Sequence, residues 1–119
     1  MFSLSSALSY FLYRNPVDIR NSFNGLSGII QNELGRDPLS GEVFIFMNKR
    51  RNQVKLLRWE QGGFILYYKR LETGTFELPK QDSDTSACPM QWSTLVMMIE
   101  GISMKNIRNR KRYIYQKSA

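Results

Sequence analysis

Residues 42–69 read EVFIFMNKRRNQVKLLRWEQGGFILYYK, and this stretch decides the fold. It holds three apolar runs, Glu42 to Met47, Gln53 to Trp59 and Phe64 to Lys69. The polar connection Asn48 to Asn52 and the turn Glu60 to Gly63 separate them. Short runs rich in Val, Ile, Phe and Tyr, broken by short loops containing Asn or Gly, predict an antiparallel β-meander. A fourth short strand, Thr75 to Leu78, is expected beyond the turn at Glu72-Thr73-Gly74. Phe44, Phe46, Leu56, Phe64 and Leu66 are the core-facing candidates.

Upstream, Ser9 to Tyr13 reads as an aromatic first strand, ended by Asn15-Pro16 because proline donates no N–H and restrains its predecessor. Asp18 is the expected N-cap of a helix. Ile19, Phe23, Leu26, Ile30 and Leu34 make one apolar stripe at helical spacing, with Gly35 as the stop. Gly25 and Gly28 are poor helix formers, and their spacing would allow close packing on a sheet. Residues 36–41, RDPLSG, carry two turn signals and read as a loop. Downstream, residues 81–89, QDSDTSACP, read as a loop, and Trp92 to Ile102 as a helix from near Ser93 to Gly101. The expected fold is therefore α+β: an antiparallel meander of about four to five strands on an N-terminal helix, with a second short helix near the C-terminus. Residues 1–103 form one domain in this reading. Residues 104–119 form a basic tail that serves either as an edge strand or as an arm.

The chain has 119 residues, 42% of them apolar, which suffices for a core without metals or disulfides. Its one cysteine, Cys88, has no disulfide partner and reads as a small spacer beside Pro89. The stretch Ala7 to Tyr13 is far shorter than the roughly 20 residues of a spanning helix, and the N-terminus lacks a basic leader region. A cytoplasmic protein with no membrane partner is expected. The net charge of +7 is unevenly spread. Residues 42–80 carry eight basic and four acidic side chains, and residues 104–119 carry six basic and none acidic. Such segregation suits phosphate backbones or acidic protein surfaces.

No enzyme is expected, and no cofactor. Histidine is absent, so a thiolate or zinc site lacks its usual partners. There is no phosphate-binding loop and no dinucleotide fingerprint. A metal-dependent nuclease would need converging carboxylates, and Asp18, Asp37 and Glu42 are the set to examine. The strongest binding candidates are the consecutive cations Lys49, Arg50 and Arg51 at a hairpin tip, where arginine can grip phosphate oxygens in a bidentate fork. Lys55, Lys69 and Arg70 extend the candidate nucleic-acid site. The bland alternative is a solvated turn with charged edge protection. Trp59, Phe64, Tyr67 and Tyr68 stand beside these cations and would either stack on unpaired bases or fill the core. Tyr67 and Tyr68 are adjacent, so at most one faces inward.

Several motifs resemble one family in order and in register. They are Pro16-Val17-Asp18-Ile19-Arg20 with Phe23-Asn24-Gly25-Leu26, then Asp37-Pro38-Leu39-Ser40-Gly41-Glu42-Val43-Phe44, then Asn48-Lys49-Arg50-Arg51-Asn52. Trp59-Glu60, Gly63-Phe64, Tyr68-Lys69-Arg70-Leu71-Glu72 and the late run Leu95 to Ile102 continue the match. The chain resembles, over residues 10–103, the TnpB accessory proteins of the insertion-sequence-sixty-six family of bacterial transposons, which are unrelated to the RNA-guided nucleases of the same name. The resemblance implies a mobile genetic element and a separately encoded transposase that carries the catalysis. The expected function is thus a non-catalytic transposition accessory protein that binds DNA. The alternative is a protein-interaction module supporting transposase assembly, marked by an exposed apolar patch around Tyr68 and Trp92.

Overall fold

The computed structural model describes residues 4–80 and 87–101. Its elements are β1 (Tyr10–Tyr13), α1 (Phe23–Asn32), β2 (Val43–Met47), β3 (Gln53–Glu60), β4 (Gly63–Arg70), β5 (Ala87–Met90) and α2 (Trp92–Glu100). The strands form one five-stranded sheet in the order β4-β3-β2-β1-β5. The fold is α+β, and the meander β2–β3–β4 lies where the apolar runs place it. β1 pairs in parallel with β2, and the other neighbours are antiparallel. A parallel neighbour requires a crossover, and the chain between β1 and β2 supplies it with α1.

Both faces of the sheet are covered. One holds Tyr13, Phe44, Phe46 and Leu57 beneath Leu26 and Ile30 of α1. The other holds Tyr10, Leu12, Val43, Ile45, Val54 and Leu56 beneath Leu95 and Met98 of α2, with Leu71 and Phe76 from the segment after β4. Every residue of β2 is consequently buried, and its run VFIFM is continuously apolar rather than alternating. Of the core-facing candidates, Phe44, Phe46 and Leu56 are buried, with Leu56 on the face opposite the two phenylalanines. Phe64 and Leu66 pack half-buried on the α1 side.

Several expectations are corrected. Asp18 does not cap α1, whose N-cap is Ser22. Residues 18–22 instead make a turn in which the Asn21 N–H donates to the Asp18 carbonyl at 3.0 Å. Thr75 to Leu78 is not a strand: Gly74 turns the chain at φ +84, and Phe76 enters the core while its N–H donates to the Arg51 carbonyl at 2.7 Å. Ala87–Met90, read as the end of a loop, is strand β5. It tolerates Pro89 because among the described residues it lies at the sheet edge, where a missing N–H need cost no ladder bond. Cys88 lies in this strand, half-buried against the α2-side core. α1 ends at Asn32 with Glu33 as its C-cap, so the expected stop, Gly35, lies two residues past the cap. The left-handed backbone of Gly35, φ +62, lets the Arg36 N–H turn back to the Ile30 carbonyl at 3.1 Å. Close packing of α1 glycines on the sheet is not found: a Cβ at Gly28 would meet nothing within 4 Å, and one at Gly25 would meet the Asn21 side chain. The tail 104–119 lies outside the described residues.

Candidate nucleic-acid interface

Strand direction decides where the cations collect. β1, β2 and β4 all run one way, so their C-terminal ends share one end of the sheet with the start of β3. Arg14 follows β1 there, and its guanidinium donates to the Pro79 carbonyl at 2.8 Å. The 14–22 loop packs at the same end through the Val17 N–H, which donates to the Met47 carbonyl at 2.9 Å. Lys49, Arg50 and Arg51 form the β2–β3 connection, and Lys69 and Arg70 close β4 beside it, with Arg70 opposite Gln53. All six predicted site residues therefore lie at or near one end of the sheet.

Within that cluster, contacts divide the six. Lys55 donates from Nζ to the Asn21 carbonyl at 2.8 Å, tying β3 to the loop before α1, and its ammonium sits 5.5 Å from the Tyr68 ring centroid. Lys69 Nζ donates to the Ile99 carbonyl at 3.1 Å, in the last turn of α2, where a cation complements the helix dipole. Arg70 pairs with Glu72 at 3.0 Å in an exposed ion pair, and the Glu72 carboxylate raises its pKa. Lys49, Arg50 and Arg51 are exposed and have no hydrogen-bonded or ion-paired side-chain partner among the described residues.

The tip is rigidly built. The Asn48 side-chain oxygen accepts from the backbone N–H of Asn52 at 3.1 Å and of Gln53 at 3.0 Å, and its amide donates to Asn52 Oδ1 at 2.6 Å. The Arg51 N–H closes a turn onto the Asn48 carbonyl at 3.1 Å, and Arg51 itself has φ +58, a left-handed conformation unusual for a residue with a Cβ. The Arg51 and Asn52 carbonyls accept at 2.7 Å each from Phe76 and Leu71. The turn is thus anchored through its backbone, and its three long side chains are left to solvent.

The other charges near β2 are matched. Arg20 grips Asp18 at 2.6 Å, and these hydrogen bonds hold the Asp18 carboxyl down at about 2. Arg36 lies 3.9 Å over the Phe11 ring and pairs with Glu42 at 2.6 Å, lowering the Glu42 pKa. Arg58 pairs with Glu60 at 3.1 Å and donates to the Gly41 carbonyl. Asp18 lies at the tip end of β2, whereas Asp37 and Glu42 precede its opposite end. The three carboxylates considered for a metal site do not converge. Among the described residues no three Asp, Glu, Cys or His side chains form a metal-holding group.

The aromatic residues divide as well. Tyr67 packs half-buried on the α2 side, and burial raises its pKa. Tyr68 points the other way and is 53% exposed, its hydroxyl donating to Gln53 Oε1. Trp59 and Phe64 meet edge to face at 5.0 Å, and Phe23 stacks on Phe64 at 6.3 Å while remaining 41% exposed. Phe23 was expected in the core stripe. It is the first residue of α1 and stacks on Phe64 of the outer strand β4 instead of entering the core. Asn48, which holds the tip, carries only a weak sequence signal, as an Asn that opens a connection.

Residues 8–109 match the family model described as IS66 Orf2 like protein. Two uncharacterized proteins of Sinorhizobium fredii are similar. One, y4jC, is 32% identical over 106 residues, covering 88% of this chain and 91% of that protein. The other, y4hO, is 33% identical over 85 residues, covering 70% of this chain and 73% of that protein. No solved structure matches the chain significantly.

Proposed function

Because the chain belongs to the IS66 Orf2-like family, we propose that it is a non-catalytic accessory protein of DNA transposition that contacts the phosphate backbone through Lys49, Arg50 and Arg51. One observation carries this reading. The other arginines in β1–β4 and their loops each have a carboxylate or carbonyl partner, while three adjacent cations on an anchored tip have none among the described residues. A turn needs no such triplet for solubility, and holding Arg51 at φ +58 costs about 1 kcal/mol or more. Gln61 in the β3–β4 turn has a similar backbone at φ +46, so it is the unpaired charges and not the strain alone that support the reading.

The chemistry is electrostatic. Arg50 and Arg51 would take phosphate oxygens in bidentate geometry, and Lys49 would act as a point charge. Such contacts position a protein on DNA without reading bases. Lys55, Lys69 and Arg70 add field to the same end, while their hydrogen bonds keep them mainly in structural roles. In this proposal residues 1–103 act as one domain in the cytoplasm, and the basic residues of 104–119 add further charge.

The test is fluorescence anisotropy on two unrelated duplexes across a salt series. Replacing Lys49, Arg50 and Arg51 by Ala should weaken binding to both duplexes by similar factors. It should also lower the logarithmic salt slope by about one unit for each phosphate no longer neutralised. The denaturant midpoint should hold. A parent protein that binds no DNA, or a triple variant that binds as tightly as the parent, would refute the proposal.

A second reading has one observation in its favour. Between β3–β4 and α2 lies an apolar groove of about 450 Å³ lined by Val54, Leu56, Tyr67, Trp92, Leu95 and Ile99, with Tyr68 at its border. A groove of this kind suits a protein partner such as the transposase. Val96 of α2 also lines the groove, and loss of transposase pull-down in Val96→Asp, with DNA binding kept, would support it.

A further inference from the structure

On the α1 side of the β3–β4 edge, cross-strand register sets out a row of side chains. Trp59 faces Phe64, Leu57 faces Leu66, Lys55 faces Tyr68 and Gln53 faces Arg70. Among the described residues β4 is an edge strand, with no further strand beside this row in the sheet. Tyr68 and Phe23 are two of the three exposed large apolar side chains among the described residues; Tyr68 belongs to this row and Phe23 stacks on it at Phe64. The Tyr68 ring is fixed at its far end by the hydroxyl bond to Gln53, with the Lys55 ammonium beside it. Phe23 is fixed by its stack on Phe64, which in turn rests edge-on against Trp59. These are exposed rings held in place, not rings awaiting a core.

The row leads directly to the basic tip. Tyr68 precedes Arg70 by two residues, Arg70 faces Gln53, and Arg51 lies two residues before Gln53. Each two-residue step along a strand spans about 7 Å, close to the spacing of successive phosphates in an extended strand of nucleic acid. Duplex DNA hides its base faces and offers a flat exposed ring nothing to stack on. An unpaired strand offers both base faces and phosphates, and aromatic rings beside cations are the usual means of holding one.

We infer that the nucleic acid engaged along this row and at its basic end is single-stranded, with a base stacked on Tyr68, a further base reaching Phe23 toward the far end of the row, and phosphates directed to Lys49, Arg50 and Arg51. This rests on the tip as a phosphate contact and adds the class of substrate. Recognition is sequence-tolerant, since every base has a stacking face. The Lys55 ammonium beside Tyr68 strengthens the platform by adding charge behind the ring.

The experiment compares three labelled probes of equal length: oligothymidine, the same strand with abasic sites throughout, and a duplex. Full-length protein should bind oligothymidine more tightly than the abasic strand. Tyr68→Ala should weaken oligothymidine binding by about tenfold and leave the abasic and duplex probes unchanged. Tyr68→Phe keeps the ring without the hydroxyl and should bind like the parent, which separates stacking from the Gln53 hydrogen bond. Equal binding of oligothymidine and abasic strand would overturn the inference, as would parental oligothymidine binding by Tyr68→Ala. In either case salt-sensitive duplex binding that depends on Lys49 to Arg51 would leave the tip reading standing. A parent that binds none of the three probes would overturn both.

Discussion

Arg51 separates backbone from charge at a single position. Its φ of +58 is favoured by glycine and disfavoured by any residue with a Cβ. Arg51→Gly should therefore raise stability by up to about 1 kcal/mol in a urea titration, relief of strain outweighing the added freedom of the unfolded chain. The same variant should lose DNA affinity along with its cation. Asp18 offers a second measurement at this scale. Arg20 hydrogen bonds hold its carboxyl at about 2, so carboxyl NMR should find it still ionised at pH 3, and Arg20→Ala should move it up toward the ordinary aspartate range. The sign follows from the depressed value: the stabilisation is present above the unfolded-state pKa and is lost as pH falls toward 2. The pair is exposed, so the effect on the denaturation midpoint is small. The tip cations were readable from sequence because charge in a turn is visible in the letters themselves. The roles of Lys55 and Lys69 were not, because their partners are the Asn21 and Ile99 carbonyls, and every residue has a carbonyl.

Among elements, the β2–β3 hairpin depends on one side chain. Asn48 satisfies two backbone N–H groups and bonds Asn52 across the turn. Asn48→Ala leaves these half-buried groups without partners and should cost about 1–3 kcal/mol by chemical denaturation. The meander was legible because its connections are short and its runs apolar. α1 began four residues late because Ile19 continues the helical spacing although residues 18–22 are spent on the Asp18 turn. β5 was hidden by Pro89, which argues against a central strand and is harmless at an edge. Thr75 to Leu78 looked like a strand because Phe76 is flanked by polar residues. That pattern also fits a chain crossing the end of a sheet with one side chain turned inward.

At the scale of the whole molecule, β1 could be read as a strand but not placed. Its partners β2 and β5 are remote in sequence, and coverage of both faces removes the alternation that would have revealed its orientation. The same arrangement sends the tip, the 14–22 loop and the end of β4 to one end of the sheet, so a basic pole arises from topology rather than from a contiguous motif. The parallel crossover also bears on kinetics. β2, β3 and β4 can zip together through local turns, whereas β1 must close the intervening residues 14–42, and β5 must span residues 14–86 to reach it. Closure costs more entropy as the loop lengthens, so the meander is expected to form the nucleus and β5 to dock last. Stopped-flow chevrons should then show Leu57→Ala mainly slowing folding and Met90→Ala mainly speeding unfolding. In that order of assembly the basic pole and the aromatic row take shape while the far margin of the sheet is still unsealed, so the proposed contact surface would precede completion of the fold.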